Sequence, residues 1–455
     1  MIAPYDPDRV RRRGGHALVI GASVAGLLAA RVLLDAFERV TILDRDVLDT
    51  AARPRRGVPQ GQHLHVLLTA GQLAMEQLAP GFTAELVAAG AVRVDLGRDV
   101  ELYAERSRLA PGNSELPMYY ASRPLIEDVL RRRVRAHARL TLGSGQQVTD
   151  PVLSDDGAVV GVVAVDGGGA RRFPAELVVD ATGRGSRTPT WLEQLGQPRP
   201  EVERVEVDLV YRTVQLRRPA GDRRAMLVMP SADLGRGAGV APVENERWLV
   251  TLFGLHGDHP PGDPEGLRAF AAELATPEVA RLLDDHPPVT PDVSRYRFPA
   301  SRRHRYDRST SSPRGLLTIG DSIASFNPIY GQGMAVAALQ ALTLHRTLAA
   351  ADHREPADDF YARSATIVDD AWNLAAGGDF RFPATTGPKP RGTDLLNRYV
   401  VRLHGRAQVD GELADTFMRV AAMLRRPTAL LRPATVWRVI RPRRPSARAR
   451  SVTDP

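Results

Sequence analysis

Apolar positions fall into short runs divided by turn residues from the first segment onward. His16–Ile20 is an apolar run of strand length, and Gly21–Gly26 (Gly-Ala-Ser-Val-Ala-Gly) is a run of small residues. Leu27–Phe37 has helical spacing, and Val40–Leu43 is a second short run ending at Asp44. The pattern predicts strand, tight turn, helix and strand. Apolar residues at 64, 67, 68, 75 and 78 predict a helical stretch, and those at 125, 126, 129, 130 and 134 an amphipathic helix opened by Arg123-Pro124. Residues 158–165 and 171–179 predict a hairpin around Asp166-Gly167-Gly168-Gly169. Val205–Leu216, Ala225–Met229 and Arg247–Leu255 read as strands, and Glu265–Leu283 as helix. Leu316–Ile319 reads as a buried strand before a helix from about Met334 to Ala350. Beyond 350 the pattern is mostly helical, broken at Gly377-Gly378 and Pro383–Pro390.

Two of these turns carry chemistry. Strand, Gly21–Gly26 turn, helix and second strand form the unit of a dinucleotide site, with Asp44 about 20 residues after the turn. Gly21 permits the sharp turn, and Gly26 lets helix and strand pack closely. The helix N-terminus offers free N–H groups and a positive dipole end to a pyrophosphate. Asp44 can accept ribose hydroxyls. The middle glycine of the usual fingerprint is Ser23, whose hydroxyl can bond a phosphate. Arg9–Arg13 ahead of this apolar run imitates a secretion signal, but the second strand and its acid fit the dinucleotide unit better. The second turn follows Leu316–Ile319: Gly320-Asp321-Ser322, then Asn327-Pro328-Ile329-Tyr330-Gly331-Gln332-Gly333-Met334. An acid at a strand end can hold a polyol, and a Gly-x-Gly turn lets a flat ring approach the backbone. The run Asp180–Ser186 is no second fingerprint, because Pro189 follows too soon.

Composition narrows the rest. The chain has 455 residues, 43% apolar and 25% charged, values of an ordinary globular protein of two or three domains. With no cysteine, disulfides, thiolate metal sites and a thiol nucleophile are excluded. The His63/His65 pair lacks a third ligand at recognisable spacing, so no metal is expected. Net charge is +8, and Lys389 is the only lysine. Residues 416–455 hold ten arginines and one aspartate, so the body is near neutral and nucleic acid is not an expected partner. In that tail Leu430, Leu431, Val436, Trp437, Val439 and Ile440 alternate with arginines. A helix packed on the body is the favoured reading, with contact to a membrane surface as its rival. No apolar run is long enough to span a membrane, and a cytoplasmic protein is expected.

Together these residues resemble the flavoprotein monooxygenases of the para-hydroxybenzoate hydroxylase fold, over roughly residues 15–350. Gly57–His65 and Ser325–Met334 are closer in wording to bacterial FAD-dependent epoxidases of polyketide and terpenoid pathways. The resemblance implies FAD as cofactor and NAD(P)H as reductant, acting directly or through a partner flavin reductase. It implies that Gly21, Ser23 and Gly26 contact the pyrophosphate, that Asp44 binds ribose with Arg45 beside it, and that Arg123 contacts the adenine-side half. Asp321 would hold the ribityl chain, and Pro328, Gly331, Gln332, Gly333 and Met334 would lie along the flavin ring.

The implied architecture is mixed α/β: a Rossmann-like FAD-binding domain interleaved with a β-sheet substrate domain, plus a C-terminal helical region. FAD-binding parts are expected at 1–75, 123–195 and 301–350. A connecting, substrate-side segment at 76–122, a substrate sheet at 196–300 and a helical region with its basic tail at 351–455 complete the chain. Tyr211, Phe253 and Tyr296 are candidate pocket residues for a small hydrophobic substrate. The expected reaction is epoxidation of an alkene through a flavin C4a-hydroperoxide. Aromatic hydroxylation is the main alternative and prenyl-chain reduction a second. A non-catalytic flavoprotein is also weighed, and a halogenase is set aside because its Trp-x-Trp-x-Ile-Pro signature is absent. A hydroxylase wants a base to deprotonate its phenol, and residues 200–300 offer none beyond His256 and His259.

Overall fold

The computed structural model describes residues 4–48, 51–112, 115–309, 312–350 and 355–441. The basic segment beyond Arg441 lies outside these residues. A five-stranded parallel sheet runs in the order Leu316–Thr318, Leu177–Asp180, Gly14–Ile20, Phe37–Asp44, Leu140–Ser144. Its central strand is buried on both faces, as a parallel sheet covered by other layers must be; Ala17, Leu18 and Val19 are wholly inaccessible. The helix Val24–Ala36 covers one face. It begins three residues before the apolar spacing suggests, because Val24, Ala25 and Gly26 form its first turn. A Cβ on Gly26 would lie 1.8 Å from the Gly21 carbonyl oxygen, so only glycine lets this helix leave the strand at that angle.

An eight-stranded sheet lies over the cofactor-sized cleft. Its order is Ala324–Ser325, Ser294–His304, Val202–Arg217, Arg247–Gly254, Arg236–Val243, Ala225–Val228, Val100–Ala104, Ser107–Arg108. Five of its members are absent from the pattern-based reading, the longest being Arg236–Val243 and the eleven-residue Ser294–His304. Arg236–Val243 (Arg-Gly-Ala-Gly-Val-Ala-Pro-Val) has little β propensity of its own and is held by pairing on both sides. The segment 76–122 supplies the last two strands.

Other boundaries move for local reasons. The helix expected across 64–78 starts at Thr69; residues before it run extended, and the Leu64 N–H donates to the Thr251 hydroxyl at 3.2 Å. The second arm of the 158–179 hairpin is two strands, Gly169–Pro174 and Leu177–Asp180, in different sheets. The helix expected at 265–283 is split into Pro264–Ala272 and Glu278–Asp285, the second starting after Pro277. The helix Pro356–Asp379 runs through Gly377-Gly378 rather than breaking there. A Cβ on Gly378 would lie 2.8 Å from the Tyr330 hydroxyl, so the glycine serves a close approach and not a break. The C-terminal helices Thr393–Ala407, Gly411–Ala421 and Pro433–Ile440 pack on the body; Leu430 and Val439 are buried, whereas Leu431, Trp437 and Ile440 are exposed. Among the described residues no helix is long and apolar enough to cross a membrane.

Candidate active site

One cavity of about 940 Å³ runs from the C-terminal edge of the parallel sheet to the face of the large sheet. The two turns singled out in the sequence meet along it. Gly21, Ser23, Asp44, Arg45 and Arg123 border one end; Asp321, Pro328, Gly331, Gln332, Gly333 and Met334 border the middle. Gly26 does not border it: the glycine is spent on helix–strand contact, not on a ligand.

The first end is a buried charge network. Arg123 donates through Nε to Glu127 Oε1 at 2.8 Å and through Nη2 to the Ser23 hydroxyl at 2.8 Å. Ser23 donates in turn to Glu127 Oε1 at 2.7 Å, so its hydroxyl does not cap its own helix. Arg55 closes the circuit, reaching Glu127 at 3.2 Å, Asp44 at 3.1 Å and Asp46 at 3.0 Å. Burial alone would raise the Glu127 carboxyl, but Arg123 and Arg55 outweigh it and hold the group ionised. Arg55 and Glu127 were given no role from the sequence. The Arg123–Glu127 spacing of four on an amphipathic helix was the available signal for one of them.

At the middle, the helix Gly333–Ala349 points its N-terminus at the cavity. Gly331 takes left-handed backbone (φ 68°) to turn the chain into it. Asp321 lies beside this turn; burial raises its carboxyl, partly opposed by Arg123 and Arg184. Arg184, from the Asp180–Ser186 run, borders the cavity, donates to the Ala300 carbonyl and the Ser325 hydroxyl, and lies 4.4 Å from the Phe298 ring centre. Asp180 itself accepts from Thr182, Ser186 and Thr188 and so shapes the loop that carries Arg184.

These donors fit FAD. Arg55 Nη2 and both amide atoms of Gln332 are buried without a hydrogen-bond partner, and buried polar groups normally have one. The unpaired guanidinium nitrogen belongs to the Ser23–Asp44 end and the unpaired amide to the Gly331 turn. A helix N-terminus stands at each, suited to a pyrophosphate and to an electron-rich ring.

The far half is the large sheet. Tyr296, Tyr211 and Phe253 are directly opposite one another on three neighbouring strands and all border the cavity. Tyr211 and Phe253 ring centres are 5.5 Å apart. His63 packs 5.8 Å from Tyr211 and Tyr296, bonds the Thr213 hydroxyl at 2.7 Å, and is lowered to about 4 by burial. His65, lowered to about 3 by burial, bonds the His63 carbonyl. His256 and His259 do not border the cavity; they bond Thr385 and the Asp208 carbonyl. Leu102, Leu227, Met229, Phe417, Met418 and Leu430 complete the apolar wall. Two polar clusters meet it, the first through Asn327 and Tyr330, which border the cavity while Asp379 does not. Asp379 accepts at Oδ1 from Asn327 Nδ2 (2.9 Å) and the Tyr330 hydroxyl (3.1 Å), and burial pushes it up to about 7. Glu105, Arg381 and His404 form the second.

Residues 16–360 match the FAD binding domain family. Protein Rv3254 of Mycobacterium tuberculosis is 36% identical over 433 residues, 91% of each chain. The 6-methylpretetramide 4-monooxygenase of Streptomyces rimosus is 29% identical over 349 residues, 74% of this chain and 76% of that one. The solved structure of the flavin-dependent brominase Bmp2 shares the fold: TM-score 0.65 at 16% identity, over 90% of this chain and 94% of that one.

Proposed function

Since the chain belongs to the FAD binding domain family and is an FAD-dependent monooxygenase of the para-hydroxybenzoate hydroxylase fold, we propose that it epoxidises an alkene of a hydrophobic polyketide or terpenoid. Alkene, O2, NAD(P)H and a proton give epoxide, water and NAD(P)+. FAD, when bound, supplies the activation of oxygen. Gly21, Ser23, Asp44, Arg45, Arg55 and Arg123 would hold its adenosine and pyrophosphate, Asp321 its polyol, and Pro328 and Gly331–Met334 its ring.

The observation that carries the reading is the wall around the substrate half. Tyr211, Phe253 and Tyr296 line the cavity together with Leu102, Met229 and Phe417, and His63 is held neutral by burial. Such a wall needs to do only two things: exclude water and hold a double bond at reacting distance, about 3–3.5 Å. An electron-rich alkene requires no base. Holoenzyme given 18O2, NADPH and a panel of polyenes and phenols should place one labelled atom in an alkene, read by product mass.

Aromatic hydroxylation remains the second reading, and one observation favours it. A carboxylate–imidazole pair, Glu105–His404, borders the cavity and offers a base that residues 200–300 lack. The Streptomyces rimosus relative is named as a 4-monooxygenase of 6-methylpretetramide. Label in a phenol with every alkene untouched would decide for it.

A further inference from the structure

We infer that His404 is a hydrogen-bond acceptor seated for a hydroxyl group on the substrate, so that the cavity selects a hydrophobic molecule carrying an alcohol, enol or phenol. The inference rests on the reading of this half of the cavity as the substrate seat.

Three segments distant in sequence build the site. Glu105 is presented from a two-residue hairpin turn in which it and Arg106 both take left-handed backbone (φ 50° and 61°), positions that ordinarily hold Asn or Gly. Arg381 follows the helix Pro356–Asp379 and donates Nη1 to Glu105 Oε1 at 2.7 Å. His404 lies on Thr393–Ala407, with Nδ1 3.3 Å from the same carboxylate oxygen. All three border the cavity, and the His404 and Arg381 side chains are more than nine-tenths buried.

Charge and proton placement follow from the partners. Burial would raise the Glu105 carboxyl, but the His404 hydrogen bond and the Arg381 charge outweigh it, so the group is ionised. An ionised carboxylate only accepts, so Nδ1 of His404 carries a proton. Burial, aided by Arg381, holds the imidazole neutral against the pull of Glu105. Its one proton is therefore on Nδ1, and Nε2 presents a lone pair. That Nε2 is buried and has no hydrogen-bond partner in the protein. Glu105 and Arg381 cancel in charge, so the site suits a neutral donor rather than an ammonium or a carboxylate. A buried acceptor left unpaired is costly, and a ligand hydroxyl removes that cost where an ether of the same skeleton cannot.

The test compares farnesol with farnesyl methyl ether, two probes with one carbon skeleton. FAD-loaded enzyme is titrated with each, following the perturbed flavin absorbance. Wild type should bind the alcohol at least about tenfold more tightly. His404→Phe should bring the two within about threefold of each other with FAD content unchanged, and His404→Gln, which keeps an acceptor, should recover part of the preference. Equal affinities in wild type overturn the anchor alone, whatever the variants do. A preference that survives in His404→Phe also overturns it. If wild type binds neither probe, the anchor for an unsaturated alcohol is overturned; turnover of phenols with every alkene untouched would separately overturn the alkene reading while leaving a phenol as the group His404 accepts from.

Discussion

Gly26 and Gly333 are both glycines of the expected cofactor turns, yet their surroundings differ. A Cβ on Gly26 would overlap the Gly21 carbonyl oxygen at 1.8 Å, and backbone cannot step aside. A Cβ on Gly333 would meet its nearest atom, Asp321 Oδ1, at 3.7 Å, an ordinary contact. Gly26→Val should therefore lower the melting temperature sharply and lose the 450 nm absorbance, a destabilisation of about 3 kcal/mol or more. Gly333→Val should melt within a few degrees of wild type, because a β-branched residue costs a helix only about 0.5 kcal/mol. If the turn lies against the flavin as proposed, the variant should nevertheless lose FAD occupancy or turnover. Full occupancy and turnover in Gly333→Val would remove that turn from the flavin site.

At the scale of elements, Asp379 joins the loop before the Gly333 helix to the end of Pro356–Asp379. Its carboxyl is raised from an unfolded value near 3.8 to about 7 by burial. A proton bound more tightly in the folded state stabilises below the unfolded value, and that contribution is lost as pH rises through about 7. Between pH 4 and 8 the site should cost wild type up to about 4 kcal/mol. Asp379→Asn, which cannot ionise, should flatten this slope and gain on wild type at pH 8; parallel melting profiles of the two proteins would show that Asp379 does not titrate. The same comparison of elements explains what the sequence disclosed. The strand–turn–helix units at 14–44 and 316–349 are local, each encoded by an apolar run, a small-residue turn and a helical repeat within a few dozen residues. Arg236–Val243 is a strand only through its neighbours. The Glu105, Arg381 and His404 cluster joins residues nearly 300 positions apart, so no spacing betrays it, and a search for a base confined to 200–300 could not find it.

At the scale of the molecule, the helices after residue 390 are a wall of the cavity and not an appendage. Phe417, Met418 and Leu430 border it, although the family match ends at residue 360. Shortening that wall should therefore alter substrate fit without touching the cofactor. Phe417→Ala should raise KM about tenfold or more while kcat and FAD content stay within about threefold; a fall in kcat at unchanged KM would place the residue outside the substrate half.

The continuity of the cavity also bears on assembly. Both halves belong to one space, so a bulky hydrophobic molecule seated there before FAD would share that space with the incoming cofactor. Reconstitution of apoprotein with FAD should slow as a hydrophobic ligand is added beforehand, whereas adding the same ligand afterwards should leave the flavin in place.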